Sequence, residues 1–308
     1  MFETLKYRSS NGREIICADV ITPPEGIVPQ GIVQIVHGMC EHIGRYHDFM
    51  QFLAEHGYVV CAHDQIGHGR SAAVNGTGYF APKDGWDCLV RDVRQLTILI
   101  RGRFPSLPVY LFGHSMGSFV SREYITRYKD LDGVILSGTG GSNPSAGAMA
   151  AVIRGMIPLK GEKFRSDWIN DKMFGGFNQA FPEEESPFAW LTRDAAEVAK
   201  YEADPQCGFV FTLSGYADLM TLIGRVSGEK WAKRVPVELP VYLFSGSCDP
   251  VGGMGKGVRE VTNLLRQRGL HHLKMKLYPE GRHEMLNELC RQEVYDDVLA
   301  WLSRQKKV

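Results

Sequence analysis

Short runs of apolar, β-branched and aromatic residues recur along the chain at 31–36, 58–62, 109–112, 133–137, 241–246 and 273–278. Between them, apolar residues take helical spacing at about 45–56, 86–103, 118–124, 255–268 and 287–304. Unbroken apolar runs bounded by glycine and proline predict strands buried on both faces, and the alternation with amphipathic helices predicts a mostly parallel sheet covered on both sides. The chain opens differently. Residues 2–9 and 13–22 flank Ser10-Asn11-Gly12, which reads as a hairpin turn.

The rhythm breaks after Gly138-Thr139-Gly140-Gly141-Ser142-Asn143-Pro144. Residues 141–235 hold no clear buried strand. They contain an apolar stretch at 146–159, interrupted by Arg154, and then Phe164, Trp168, Phe174, Phe177, Phe181, Phe188 and Trp190 at irregular spacing. The expected organisation is a core in two parts, residues 1–140 and 236–308, with a mainly helical cap inserted at 141–235.

Composition narrows the class. A chain of 308 residues with 44% hydrophobic content can build a large core, and a formal net charge of zero without a basic block excludes nucleic acid as an expected partner. Seven scattered cysteines form no C-x-x-C pair, which suits free thiols in a reducing compartment. The start of the chain shows no secretory h-region, and no apolar stretch is long enough to span a bilayer. The expected protein is soluble and cytoplasmic.

The chemistry centres on Gly113-His114-Ser115-Met116-Gly117, a G-x-S-x-G sequence between the 109–112 strand and the helix after it. That context makes a sharp turn presenting the Ser115 hydroxyl clear of the sheet, with the two glycines leaving room for strand and helix. A serine hydroxyl needs a base. In a parallel sheet, functional groups collect beyond the carboxyl ends of strands. Asp249 follows the 241–246 strand and His283 follows the 273–278 strand, giving the order Ser, Asp, His. Asp249 before Pro250 also suits an ordinary helix-initiating turn, and His283 an ordinary loop histidine. Glu284, a rival acid, adjoins His283 on a turn and is poorly placed to orient it. Oxyanion donors are expected at the Met116 N–H, which opens a helix, and at the Met39 N–H in His37-Gly38-Met39. His37 reads as a loop anchor, and Glu41 with Arg45 as a brace four residues apart. The loop 63–71 lacks the Gly-Lys-Ser/Thr ending of a phosphate loop, and His37, His42 and His47 do not share a helix face as metal ligands would. No cofactor or metal is expected.

Four stretches carry a family resemblance: 37–46, Asp64-Gln65-Ile66-Gly67-His68-Gly69-Arg70-Ser71, Gly113-His114-Ser115-Met116-Gly117-Ser118, and Gly281-Arg282-His283-Glu284-Met285-Leu286. With them the chain resembles the monoacylglycerol lipase and lysophospholipase group of α/β hydrolases, especially its bacterial members. The resemblance implies the α/β-hydrolase fold, a mostly parallel eight-stranded sheet flanked by helices, with an inserted helical cap lining an acyl pocket. It implies Ser115 as nucleophile, Asp249 as acid, His283 as base, and Met39 and Met116 as oxyanion donors. Cys40 and Ser118 stand where the family usually has glycine. The expected substrate is a small acyl ester, a monoacylglycerol or lysophospholipid before a short-chain carboxylic ester. The apolar cap suits transient contact with a membrane or micelle. Two other readings stay open. One is a serine peptidase or amidase, with Glu183-Glu184-Glu185 gripping a free amine. The other is a ligand-binding protein that has kept its triad.

Overall fold

The computed structural model describes residues 1–305. Its centre is an eight-stranded sheet of order β1-β2-β4-β3-β5-β6-β7-β8. Phe2–Arg8 (β1) and Ile15–Ile21 (β2) form the opening hairpin, and β2 runs antiparallel to Tyr58–His63 (β4). Gly31–Val36 (β3), β4, Val109–His114 (β5), Gly133–Ser137 (β6), Val241–Gly246 (β7) and Leu273–Tyr278 (β8) are all parallel. The predicted apolar runs therefore lie on the strands.

Within those runs the side chains sort by their period of two. Val33, Ile35, Tyr110, Phe112, Tyr242 and Phe244 point to one face, where His47–Glu55 (α1) contributes Phe49 and Leu53. Val36, Leu111, Val134, Leu136, Val241 and Leu243 point to the other, under Gly85–Arg103 (α2) and Met116–Arg127 (α3). Only the edge strand β1 alternates exposed and half-buried positions.

Between β6 and β7 comes a helical insertion: Ala146–Lys160 (α4), Asp167–Phe174 (α5), Ala195–Ala203 (α6), Leu213–Arg225 (α7) and Gly228–Ala232 (α8). Among the described residues its one strand-like feature is a bridge between Arg165 and Thr212. The insertion is not separately packed. Ala146, Ala150 and Ile153 of α4 and Leu219, Met220 and Leu222 of α7 join the same apolar cluster as Leu89 of α2 and Phe119 of α3.

Lys256–Arg268 (α9) packs beside β7 and β8, with Val258, Val261 and Leu265 in the same apolar cluster as Leu243, and Arg291–Arg304 (α10) closes the α1 face with Val294, Val298 and Trp301. The last helix begins later than its apolar spacing predicts. The buried Glu288 carboxylate accepts N–H groups from Arg282, Leu289 and Arg193, so this stretch braces loops before the helix starts. No helix among the described residues is long and apolar enough to cross a membrane.

Candidate active site

Ser115 sits where β5 ends and α3 begins, at φ 50° and ψ −119°. Positive φ is strained for a residue with a side chain and persists only where the surroundings enforce it. The glycines enforce it here. A Cβ on Gly117 would stand 2.0 Å from the Val36 carbonyl oxygen, and one on Gly113 would stand 2.4 Å from the Ser121 hydroxyl. Strand and helix thus touch backbone to backbone, and the serine is forced outward. From Val109 to Ile125 it is the only residue that is not buried. Met116 is the first residue of α3, where helix N–H groups lack intrahelical partners.

Asp249 and His283 come from the turns after β7 and β8. Those turns are locked together: Ser247 N–H donates to the Tyr278 carbonyl, Cys248 N–H donates to the Gly281 carbonyl, and Gly246 lets the backbones meet. His283 Nδ1 lies 3.0 Å from Asp249 Oδ1. The same oxygen accepts the Val251 N–H at 2.9 Å, and Oδ2 accepts the Ser245 hydroxyl at 2.6 Å. Burial alone would raise this carboxyl, but the His283 imidazole and these donors hold it below the usual carboxylate range. Burial would likewise lower His283; the facing Asp249 charge and hydrogen bond outweigh it and raise the imidazole. Because Nδ1 donates to a carboxylate, Nε2 is left as the free base.

Met39, Ser115, Met116 and His283 line one cavity of about 730 Å³, with Asp249 behind the histidine. Its walls are largely apolar, from Phe119, Met149, Phe174, Leu219, Met220 and Ile223. A larger groove of about 940 Å³ lies near Pro108, Pro240 and His272, at the opposite ends of the strands and away from these groups.

The loop after β3 carries Met39 and is tied down on all sides. His37 Nε2 accepts the Gln65 N–H, as a loop anchor would. Glu41 accepts the Gly38 N–H at 2.5 Å, the Tyr46 hydroxyl at 2.7 Å and Arg45 at 2.9 Å. Cys40 adopts φ 56°, which glycine takes without strain, and its thiol donates to the Phe209 carbonyl. Ser118 spends its hydroxyl on the Ser115 carbonyl oxygen at 2.6 Å. Glu284 is gripped by Arg45 and does not orient His283. His114 packs on His283 with ring centroids 4.7 Å apart, and burial pushes it down to about 4, so it stays neutral.

The contacts that sequence reasoning missed are made by the insertion. Trp190 covers the His283 ring at 5.1 Å, Leu191 accepts the Glu284 N–H, and the Tyr201 hydroxyl donates to the Cys40 carbonyl. Trp190 was legible only as one of the irregularly spaced aromatics, and although Tyr201 shares the buried face of α6 with Val198, no sequence signal tied either to the catalytic loops.

One further group gathers potential metal ligands: His42, Asp204 and Cys207 offer atoms within 4.8 Å of one another. His42 Nδ1 accepts the Gly44 N–H, which leaves the proton on Nε2, donated to Asp204 at 2.8 Å. A metal on Nε2 would require that tautomer to reverse against a backbone donor, and burial raises the Cys207 thiol. The arrangement suits a hydrogen-bonded pair beside a protonated thiol.

Comparison with known proteins agrees with this architecture. The family described as "Serine aminopeptidase, S33" (Hydrolase_4) matches residues 28–290. A monoacylglycerol lipase of Mycolicibacterium smegmatis is 29% identical over 288 residues, covering 93% of this chain and 92% of the relative. A monoglyceride lipase of Rattus norvegicus is 26% identical, covering 91% of this chain and 87% of its own length. The crystal structure of a thermostable carboxyl esterase from Bacillus coagulans, in complex with glycerol, superposes with a TM-score of 0.93 at 32% identity over 99% of both chains. The chain therefore belongs to the Hydrolase_4 (serine aminopeptidase, S33) family, as a monoacylglycerol lipase-like α/β hydrolase.

Proposed function

We propose that the protein is a serine hydrolase that cleaves carboxylic esters through an acyl-enzyme. Ser115 is the nucleophile, His283 the base and Asp249 the orienting acid, with the Met39 and Met116 N–H groups holding the oxyanion. The observation that carries this reading is the buried Asp249–His283 pair at 3.0 Å, opening onto the cavity that also exposes the strained Ser115. His283 Nε2 takes the Ser115 proton as the oxygen attacks the ester carbonyl. The tetrahedral oxyanion rests on the two N–H groups, and collapse expels the alcohol, which takes the proton from His283. Water activated by the same nitrogen then frees the acid. Asp249 keeps the imidazole in the productive tautomer and stabilises its charged form throughout.

We assign the substrate to monoacylglycerols and lysophospholipids. Apolar walls in a cavity of this volume suit an acyl chain, and the relatives named above are lipases or an esterase. The segment 141–235 acts as the cap that supplies those walls. On its outside Val152, Leu159, Phe164 and Trp168 are exposed, which suits transient contact with a membrane or micelle. Of the carboxylates on the cavity wall, Glu41 and Glu284 are both held by Arg45, whereas Asp171 forms no ion pair among the described residues; what favours the ester reading over an aminopeptidase is therefore the apolar lining and the relatives.

The test is a fluorophosphonate adduct located by mass spectrometry, followed by a p-nitrophenyl ester series of increasing acyl length. The expected result is an adduct on Ser115, faster turnover of medium and long chains, and no turnover by Ser115→Ala. Turnover retained by that variant would refute the nucleophile, and turnover confined to acetyl and butyryl esters would refute the lipid assignment.

A further inference from the structure

Behind the cavity stands a buried charge cluster that the mechanism above does not use. Arg45 lies just before α1, and its guanidinium is almost fully enclosed. It meets Glu284 end-on through two bonds, Nη1 to Oε1 at 2.5 Å and Nη2 to Oε2 at 2.6 Å. Nη1 also reaches Glu41 Oε2 at 2.9 Å, and the guanidinium sits 4.8 Å from the centre of the Tyr201 ring. Glu41 and Glu284 are only 3% and 5% exposed.

Each partner belongs to a different part of the site. Glu41 holds the Gly38 N–H and so fixes the loop that carries Met39. Glu284 adjoins His283, and its own N–H is held by Leu191. Tyr201 comes from α6 of the insertion and bonds the Cys40 carbonyl. We propose that Arg45 is a positioning residue, which sets the spacing between the Met39 loop and the His283 turn by gripping Glu41 and Glu284 together, and which balances their charge behind the imidazole.

Both roles follow from the geometry. A planar guanidinium bonded at both ends of one carboxylate and one end of another leaves little freedom to the loops behind them. The cluster holds two carboxylates and one cation, so it carries one surplus negative charge. The groups facing His283 are Asp249 after β7, His114 at the end of β5, Glu41 after β3 and Glu284 on its own turn. Arg282, the other cation of that turn, is paired with Glu184. Arg45 is thus the guanidinium bonded to both Glu41 and Glu284. Arg45 also keeps the buried Glu284 ionised, so removing it lets one of the two carboxylates take up a proton, whereas removing Glu284 withdraws a negative charge from beside the imidazole and lowers the pH at which the base is protonated.

This inference rests on the proposed ester hydrolysis, and four variants test it against wild type. Glu284→Gln makes the cluster neutral, while Arg45→Gln, in which one carboxylate takes up a proton, and the double variant both stay near the wild-type charge. The acidic midpoint of kcat/KM should be lowest in Glu284→Gln, by about half to one pH unit, and close to wild type in Arg45→Gln and the double variant, both of which should lose kcat/KM. Arg45→Lys keeps the charge but not the fork. It should hold the wild-type midpoint while losing about tenfold in kcat/KM. A Glu284→Gln midpoint coincident with wild type would overturn the charge role, and full kcat/KM in Arg45→Lys would overturn the positioning role. If Arg45→Gln does not fold, Glu284→Gln and the double variant still decide the order. Titration of the His283 ring by NMR reads the same midpoints without turnover. Failure of the hydrolase reading, seen as an inactive wild type, is therefore distinct from failure of this one.

Discussion

Asp218 provides a sharp test of how the insertion is held to the core. It lies on α7, is 4% exposed, and faces the first N–H groups of α2: a methyl on Gly85 would stand 2.4 Å from its Oδ2. Helix starts favour a carboxylate, and Asp84, which begins α2 in a left-handed conformation, supplies no side-chain cap. Burial nevertheless dominates. It pushes Asp218 from an ordinary 3.8 up to about 7, against the pull of the α2 N–H groups and Arg154. The sign follows directly. Below the ordinary value both folded and unfolded chains hold the proton. Between about 4 and 7 the folded chain keeps a proton that the unfolded chain has lost, so stability falls as pH rises; above 7 the loss is complete. A difference of about three pH units at 1.36 kcal/mol each corresponds to at most about 4 kcal/mol. Asp218→Asn keeps an acceptor for the α2 N–H groups and removes the charge. Urea unfolding should show the variant gaining on wild type from about pH 4 to about pH 7, and holding a constant advantage of about 2 to 4 kcal/mol above that. A stability difference that is the same at both ends of this range would refute the reasoning. The outcome also bears on the cavity, because the next residues on α7, Leu219 and Met220, form part of its wall.

Asp249→Asn should lower kcat by about 10³- to 10⁴-fold, because three donors converge on the carboxylate and an amide offers only one acceptor oxygen. With Asp249 present, His283 is raised, so wild-type kcat/KM should climb with pH through a midpoint above the ordinary histidine value; a midpoint that does not fall in Asp249→Asn would contradict the pairing. Gly246→Ala would put a Cβ 1.9 Å from the Gly281 carbonyl oxygen, where the Asp249 and His283 turns meet. It should destabilise the protein by about 3 kcal/mol or more and depress activity; an unchanged melting temperature would show that the turns can separate freely.

The sequence alone determined the strands that build the sheet and the residues at their ends. Runs such as 31–36 and 241–246 are apolar on both faces because both faces are covered, and glycines 113 and 117 mark the turn because nothing larger passes Val36 and Ser121. Local chemistry of this kind is written in contiguous residues. The helix starting at Arg291 instead of Asn287 was not legible, because Glu288 is spent on the N–H groups of the His283 turn, at Arg282, and of Arg193, which is 95 residues away in sequence. The same holds for the insertion. Phe174, Phe177, Phe188 and Trp190 have no period because they line a cavity, while Phe164 and Trp168 stay exposed, so only folding brought Trp190 onto His283 and Tyr201 onto Cys40. Glu41 and Arg45 were legible as a pair four residues apart. That Arg45 reaches 239 residues onward to Glu284 was decided by tertiary structure alone, since burial of two carboxylates around one guanidinium is a property of the packed interior and leaves no mark on the order of residues.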